Sequence, residues 1–392
     1  MTAKDKGMRA FYLISALTLF PSSTMAEPVV WTGEITLRGF DCRREHRDGI
    51  IVRGAVTLMH PDDSLAEGSI KQVVVVCSAL AFDPGSEIRS ISSLDIRIDG
   101  TSTGAIKLVN TRGVNGNAAA QTPDIWATVK MAKGESGRSG ADGRDASGCV
   151  GMDDHLSENG GNGGRGGDGI SGQLYAAAKG ASGQKGGTSG DVVFISRFLA
   201  AGTTVEISAI GGDGGAGGLG GRGADGGDGG DGGKGGRGGF ANSCHTASGG
   251  GNGGYGGNGG DGGGGGQGGN GGDGGNGGNV IVAIMEGSAS EAPKILNHGG
   301  AGGSPGKGGE PGVGGDRGHG GVGGSGGDVA SSAPFGSGAP RASGAPGLDG
   351  AASQNVGALG VWGLDGSHGR IGQGFTGTLP QNQLDKLFGS NP

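Results

Sequence analysis

Two short groups of residues that could bind a metal ion or form a disulfide interrupt a glycine-rich sequence. Their members are Cys149, Asp153, Asp154 and His155 in the first group, and Cys244 and His245 in the second. Thiolate, imidazole and carboxylate groups bind Zn²⁺ in proteins. Paired cysteines of an exported chain more often form a disulfide. We favour the disulfide, with no bound metal and no cofactor, because the N-terminus indicates export.

Residues 1–26 predict a secretory signal peptide. Three basic residues precede the apolar stretch "AFYLISALTLF", and Ala26 supplies a small residue for cleavage before Glu27. This stretch is too short to span a bilayer, and no later one is long or apolar enough, so we expect no integral membrane span. The predicted location is secreted, extracellular or at the cell surface, with the periplasm as the alternative.

The charge balance argues against nucleic acid as a partner. The formal net charge is −7, and removal of the signal segment, with three basic residues and one acidic residue, makes it −9. Nucleic-acid binding depends on basic surfaces that neutralise phosphates. The short basic stretch "CRREHR" at 42–47 is better explained as a solvated loop.

Residues 27–133 have ordinary composition and predict a β-rich domain. Val-, Ile- and Thr-rich runs are bounded there by turn residues. The runs are "VVWTGEITLRGF", "GIIVRGAVTLMH", "KQVVVVCSALAF", "SLDIRIDG", "AIKLVN" and "IWATVKM".

Residues 134–372 change to a period of three. Three stretches of ten triplets each, 211–240, 249–278 and 299–328, place glycine at one or two positions of almost every triplet. Between them, the connectors 191–210 and 279–298 are both 20 residues long and predict strand, turn, strand. Equal lengths argue for a three-dimensional register, because nothing constrains disordered linkers to have equal lengths.

A period of three suits a polyproline II helix, in which each triplet position keeps to its own edge. Bare glycine edges allow close packing and hydrogen bonds between neighbours. The predicted fold is a mainly β base region plus a polyglycine II bundle of about six antiparallel rods, with essentially no α-helix and a C-terminal tail at 373–392. Collagen is disfavoured because the chain has only 13 prolines.

The four cysteines allow three disulfide pairings. A bridge between Cys42 and Cys77 is the simplest proposal for the β-rich domain, which contains both. Cys149 and Cys244 lie in the first two interruptions of the glycine-rich region. If these interruptions are neighbouring turns, a second bridge joins them.

The pattern of glycine-rich runs and interruptions resembles polyglycine II bundle proteins, known as distal adhesins of some phage tail fibres. The connectors followed by Gly-Gly-X, as in "GDVVFISRFLAAGTTVEISAIGGDGGAGG", also resemble glycine-rich β-solenoid segments of bacterial surface proteins. The resemblance covers roughly Gly134 to Gly372. It implies stacked rods that present variable tip loops to a surface receptor.

The expected function is that of an exported, adhesin-like protein without enzymatic activity. Its tip loops would bind a cell-surface receptor, a glycan or a matrix component. The candidate tip-loop residues are Met152, Asp153, Asp154, His155, Asn242, His245 and Phe335. The alternatives are a purely structural spacer or assembly subunit and, less favoured because the variable positions are charged, an ice-binding protein.

Overall fold

The computed structural model describes residues 27–45, 47–63, 70–121, 129–149, 155–286, 291–328 and 340–377. The signal segment and residues 378–392 of the tail therefore lie outside the described residues. The strands are β1 (Val29–Thr36), β2 (Gly39–Asp41), β3 (Ile50–Met59), β4 (Gln72–Phe82), β5 (Glu87–Ser90), β6 (Ser93–Thr103), β7 (Ala105–Asn110), β8 (Val192–Leu199), β9 (Thr204–Ser208), β10 (Val280–Glu286), β11 (Lys294–Leu296) and β12 (Gly374–Gly377). One turn of 3-10 helix spans Gly172–Leu174.

The twelve strands form one sheet that consists of two parallel ladders. The odd-numbered strands pair in sequence order in one ladder, and the even-numbered strands do so in the other. The ladders join where β3 also pairs with β4, and all these pairs are parallel. The chain thus winds as a solenoid in which consecutive strands alternate between the ladders.

The core lies between the two ladders. Alternating apolar residues point inward from both of them, as expected for β-branched strands with a period of two. The largest fully buried side chains are Phe194, Ile50, Leu58, Leu80, Ile88, Leu94, Ile96, Ile98, Ile106, Leu108 and Ile207. Each such side chain contributes about 1.5–3 kcal/mol by leaving water. Gly104 and Gly202 turn the chain between ladders with φ of 89° and 82°, a region that favours glycine.

Glycine-rich segments extend from this sheet and return to it. Among the described residues, three outgoing segments (111–121 with 129–147, 211–240 and 298–328) follow β7, β9 and β11. Three returning segments (157–190, 249–278 and 340–373) precede β8, β10 and β12.

Backbone hydrogen bonds at every third residue connect these segments. The second and third outgoing segments are parallel, with Gly217 N–H donating to Ser304 and Gly220 N–H to Lys307, both at 2.9 Å. An outgoing and a returning segment are antiparallel, with Gly254 donating to Gly233 at 2.8 Å and Gly257 to Gly230 at 2.7 Å. Buried backbone groups of the segments therefore find most of their partners on neighbouring segments.

The fold class predicted from the sequence, a β base carrying about six antiparallel rods, is wrong. The regular secondary structure is a mostly parallel twelve-stranded sheet, and the connectors 191–210 and 279–298 add their strands to it. Their strands pair with those of neighbouring turns of the solenoid. The glycine-rich segments also have parallel neighbours. A period of two or three identifies an extended segment but leaves the direction of its partner open. The described residues contain no α-helix, as expected.

The predicted set of strands needs two further corrections. The run "IWATVKM" contributes only an isolated bridge between Lys130 and Asp225 within its described residues. The short strand β5 (Glu87–Ser90) was not predicted.

Candidate functional site

The first two turns at the far end of the glycine-rich segments are joined by a disulfide. Cys149 pairs with Cys244, and Cys42 pairs with Cys77 inside the sheet. Both disulfides predicted from the sequence are confirmed. Two disulfides agree with an oxidising compartment and hence with export. No helix among the described residues has the length and apolar character needed to cross a membrane.

Asn242 organises the second turn and attaches it to the first. Its Oδ1 accepts the backbone N–H groups of Cys244 at 2.9 Å and His245 at 2.8 Å, and its Nδ2 donates to the carbonyl oxygen of Gly148 at 2.7 Å. The first turn is closed by two backbone hydrogen bonds between Ser147 and His155. Asn242 thus acts on the shape of the tip through backbone groups.

Beside these turns lies a cleft of about 480 Å³ that is formed by three segments distant in the sequence. Its lining residues are Leu156, Ser157, Asn159, Thr246, Ala247, Ser248, Gly249, Arg341 and Ala342. The hydroxyl group of Ser157 donates to the carbonyl oxygen of Thr246 at 2.6 Å. Asn159 Oδ1 accepts the N–H of Gly249 at 2.9 Å. Side-chain bonds therefore hold two walls of the cleft together.

Arg341 forms the third wall. Its Nε donates to the carbonyl oxygen of Ala247 at 3.2 Å, and its backbone N–H donates to Gly327 at 3.2 Å. A guanidinium group has five N–H donors, so this bond to Ala247 uses one of them. Leu156 is 72 % exposed beside the cleft. The site combines hydroxyl, amide and guanidinium groups with one exposed apolar side chain.

A charged pair supports the base of the tip. Arg237 lies 4.1 Å from the centre of the Phe240 ring and donates to the carboxylate of Asp145 at 3.1 Å. The backbone N–H of Phe240 donates to the same carboxylate at 2.9 Å. This N–H, together with Arg237, lowers the pKa of Asp145. The carboxylate is therefore ionised at neutral pH, and its bonds hold the first and second outgoing segments together.

The structure places only part of the predicted tip set. His155 is exposed, His245 is half-buried and Asn242 is half-buried at the disulfide-linked turns. Met152, Asp153, Asp154 and Phe335 lie outside the described residues. The cleft residues, from Leu156 to Ala342, were not predicted. They flank the interruptions, where the triplet pattern begins to fail, and that position is the signal that could have identified them.

The sulfur atoms of Cys149 and Cys244 are bonded to each other and cannot act as thiolate ligands. In the part of the chain that the structure describes, no three side chains of His, Cys, Asp or Glu form a group that could hold a metal ion.

Comparisons with known proteins give little further information. No family model matches the chain, and no curated protein matches it. Among solved structures, the chain is similar to a springtail antifreeze protein from Granisotoma rainieri, described as a nine polyproline type II helical bundle whose crystal waters match the ice lattice. The identity is 29 %, over 38 % of this chain and 92 % of that chain, with a TM-score of 0.08. A score this low supports no argument about fold or function.

Proposed function

We propose that this protein is an exported, non-enzymatic binding protein that presents the tips of its glycine-rich segments to a surface receptor, a glycan or a matrix component. The observation that carries the proposal is the cleft of about 480 Å³ beside the disulfide-linked turns. Its volume lies in the range of clefts that hold small ligands, about 300–1,000 Å³. Its final location would be extracellular, at the cell surface or in the periplasm.

The chemistry of the cleft favours a glycan or a similar hydroxyl-rich group. Such ligands present many hydrogen-bonding groups around a small apolar face. Asn159, Thr246 and Arg341 offer donors and acceptors, and Leu156 offers apolar surface. A few placed polar groups among apolar ones are typical of sites that fix a ligand's orientation.

The surrounding structure also supports binding, because the cleft is built before a ligand arrives. A disulfide joins two of the turns, and side-chain bonds of Ser157, Asn159 and Arg341 join the three segments. A preformed site loses little conformational entropy when a ligand binds.

The test is binding of the full-length secreted protein to a panel of immobilised bacterial and animal glycans, measured by biolayer interferometry. The variant Leu156→Ser, Arg341→Gln removes the apolar surface and the cation of the cleft. We expect it to weaken binding at least tenfold, which corresponds to about 1.4 kcal/mol. The matched control is Leu174→Ser, Arg165→Gln, which makes the same changes elsewhere; Leu174 is 75 % exposed.

Thermal unfolding of each variant separates loss of the site from loss of the fold. The proposal fails if the cleft variant binds as well as the control, or if the unaltered protein binds no member of the panel. In the second case, a purely structural role becomes the better explanation.

A further inference from the structure

One wall of the cleft continues along the returning segments as an exposed face. Gly249 and Ala342 line the cleft and form the first row of this face, one from the second and one from the third returning segment. Three further rows follow toward the sheet, one per triplet. We call these rows the lateral face, and its six exposed residues are Asn252 with Ala345, Tyr255 with Leu348, and Asn258 with Ala351.

Hydrogen bonds between the two segments keep these rows in register. Asn252 Oδ1 accepts the N–H of Ala345, and Asn258 Oδ1 accepts that of Ala351, both at 2.9 Å. Backbone bonds between the segments repeat at every triplet. Consecutive rows are therefore about 9 Å apart, at the polyproline II rise of about 3.1 Å per residue.

The asparagines leave hydrogen-bond donors on this face. An amide side chain has one acceptor oxygen and two N–H donors. The oxygens of Asn252 and Asn258 are engaged within the protein, whereas their Nδ2 groups have no partner within the described chain. We therefore expect a ligand on the lateral face to supply acceptors, such as carbonyl oxygens.

Apolar groups lie beside these donors. Tyr255 and Leu348 are 58 and 69 % exposed, and the row positions on both sides of Leu348 hold alanine. All six side chains of the lateral face are uncharged. Arg165 and Asp168 of the first returning segment border the face and pair with each other at 2.8 Å. The face therefore favours an uncharged ligand with some apolar surface.

We infer that the cleft and the lateral face together bind one linear, uncharged polysaccharide chain of N-acetylated amino sugars. The inference rests on the function proposed above, because the cleft holds one end of the same ligand. An acetamido group combines a carbonyl acceptor with a methyl group, which matches asparagine donors next to apolar side chains. Tyr255 supplies a flat apolar ring with a polar hydroxyl group, against which a sugar ring packs.

The position of Tyr255 sets the length of the ligand. Tyr255 lies six residues after Gly249 of the cleft, which is about 19 Å along the segment. A disaccharide bound in the cleft is too short to reach Tyr255, whereas a hexasaccharide spans both. Chain length therefore distinguishes the extended site from the cleft alone.

Calorimetric titration of the full-length secreted protein with chitin oligosaccharides, which are linear chains of N-acetylglucosamine, tests the inference. The hexasaccharide should bind at least tenfold more tightly than the disaccharide. Tyr255→Ala should weaken binding of the hexasaccharide at least tenfold and so remove the advantage of length. The matched control Trp362→Ala should bind as the unaltered protein does, because Trp362 is also 58 % exposed but lies outside the cleft and the lateral face.

A cellulose hexasaccharide, with hydroxyl groups in place of the acetamido groups, tests the class of sugar. It should bind at least tenfold more weakly than the chitin hexasaccharide, and equal affinity would overturn the assignment to amino sugars. The extended site is overturned if the two chitin oligosaccharides bind equally, or if the Tyr255→Ala protein binds the hexasaccharide normally.

Failure of this inference can be told apart from failure of the proposed function. If glycans of the panel bind and the variant Leu156→Ser, Arg341→Gln loses them, while the chitin hexasaccharide gains nothing from its length, the cleft stands and the lateral face is excluded. If no glycan of the panel and no chitin oligosaccharide binds, both the proposed function and this inference are wrong.

Discussion

The carboxylate of Asp231 accepts the backbone N–H of His319 at 3.0 Å, although 88 residues separate them in the sequence. The same contact, with the same separation, joins Asp213 to Ala301, Asp225 to Val313 and Asp228 to Asp316. Asparagine takes the role in other segments, as between Asn258 and Ala351. The acidic and amide residues of the triplets thus hold consecutive turns of the solenoid in register.

These carboxylates make stability depend on pH. The N–H of His319, together with Lys133, lowers the pKa of Asp231, and a hydrogen bond from Lys130 lowers that of Asp228. A lowered pKa gives stability that is fully present above the unfolded value of about 3.9 and is lost as the pH falls through the folded value. We expect the thermal midpoint to change little between about pH 7 and pH 5. It should decrease when the pH is lowered below about 4.

Asparagine substitutions provide the control for this pH dependence. Asp145→Asn, Asp228→Asn and Asp231→Asn together keep an oxygen acceptor for each N–H but remove the titrating group. The combined variant should lose less stability between pH 5 and pH 3 than the unaltered protein does. An equally steep loss in both proteins would show that other groups cause the acid sensitivity.

Interior glycines should tolerate no side chain. A Cβ atom on Gly257 would lie 1.9 Å from the carbonyl oxygen of Gly167, whereas one on Gly264 would lie 3.6 Å from its nearest neighbour, the carbonyl oxygen of Ala358. Gly257→Ala should lower the free energy of unfolding by about 1–3 kcal/mol or more. Gly264→Ala should be neutral or stabilise by about 0.4–1 kcal/mol. Unfolding in guanidinium chloride measures the change in free energy for both variants. Equal changes would contradict the close contact of Gly257 with the backbone of Gly167.

The tip disulfide should stabilise the turns more than the sheet. Cys149 and Cys244 are separated by 95 residues, for which the chain-entropy estimate is about 4–5 kcal/mol. We expect that Cys149→Ser with Cys244→Ser lowers the thermal midpoint and speeds hydrogen exchange around 146–149 and 241–248. Exchange in the buried strand β6 (Ser93–Thr103) should change least. Uniform acceleration across the chain would refute a local role.

A buried ion pair attaches the chain after β7 to the loop after β3. Arg112 donates to the carboxylate of Asp63 at 2.7 Å, and the two side chains are 8 and 2 % exposed. Arg112→Met leaves a buried carboxylate without this charge, so we expect a loss of about 3–5 kcal/mol in the free energy of unfolding. Arg53→Met, which breaks an exposed pair with Asp83, should cost less than about 1 kcal/mol. If both variants lost a similar free energy of unfolding, burial would not explain the cost of breaking the Arg112–Asp63 pair.

The sequence predicted the strands and the disulfide pairs better than the pairing of the strands. The runs at 49–60 and 71–82 predicted β3 and β4, and the cysteine positions predicted both disulfides. The direction of strand pairing could not be predicted, because a period of two is the same in parallel and antiparallel strands. The equal lengths of the connectors indicated a register, and the shared separation of 88 residues is its structural expression.

The position of the cleft residues beside the interruptions could have marked each of them, but the sequence could not show that they form one site. Ser157, Ser248 and Arg341 are far apart in the sequence and meet only because consecutive turns stack in register. Ser157 and Ser248 are 2.6 Å apart through their hydroxyl groups, yet 91 residues separate them. Nothing in their local sequence marks them as neighbours.

The separation of 88 residues between the second and third outgoing segments has a consequence for how this chain can change in length. An internal duplication of one full turn would add a strand to each ladder and one outgoing and one returning segment, with every hydrogen bond repeated. A three-residue deletion confined to one outgoing segment would instead displace its tip against all the others. The gene can therefore lengthen the protein in whole turns, whereas an insertion within one segment changes the register, as where the separation between the first two outgoing segments changes from 97 residues at Gly116 to 94 at Met131.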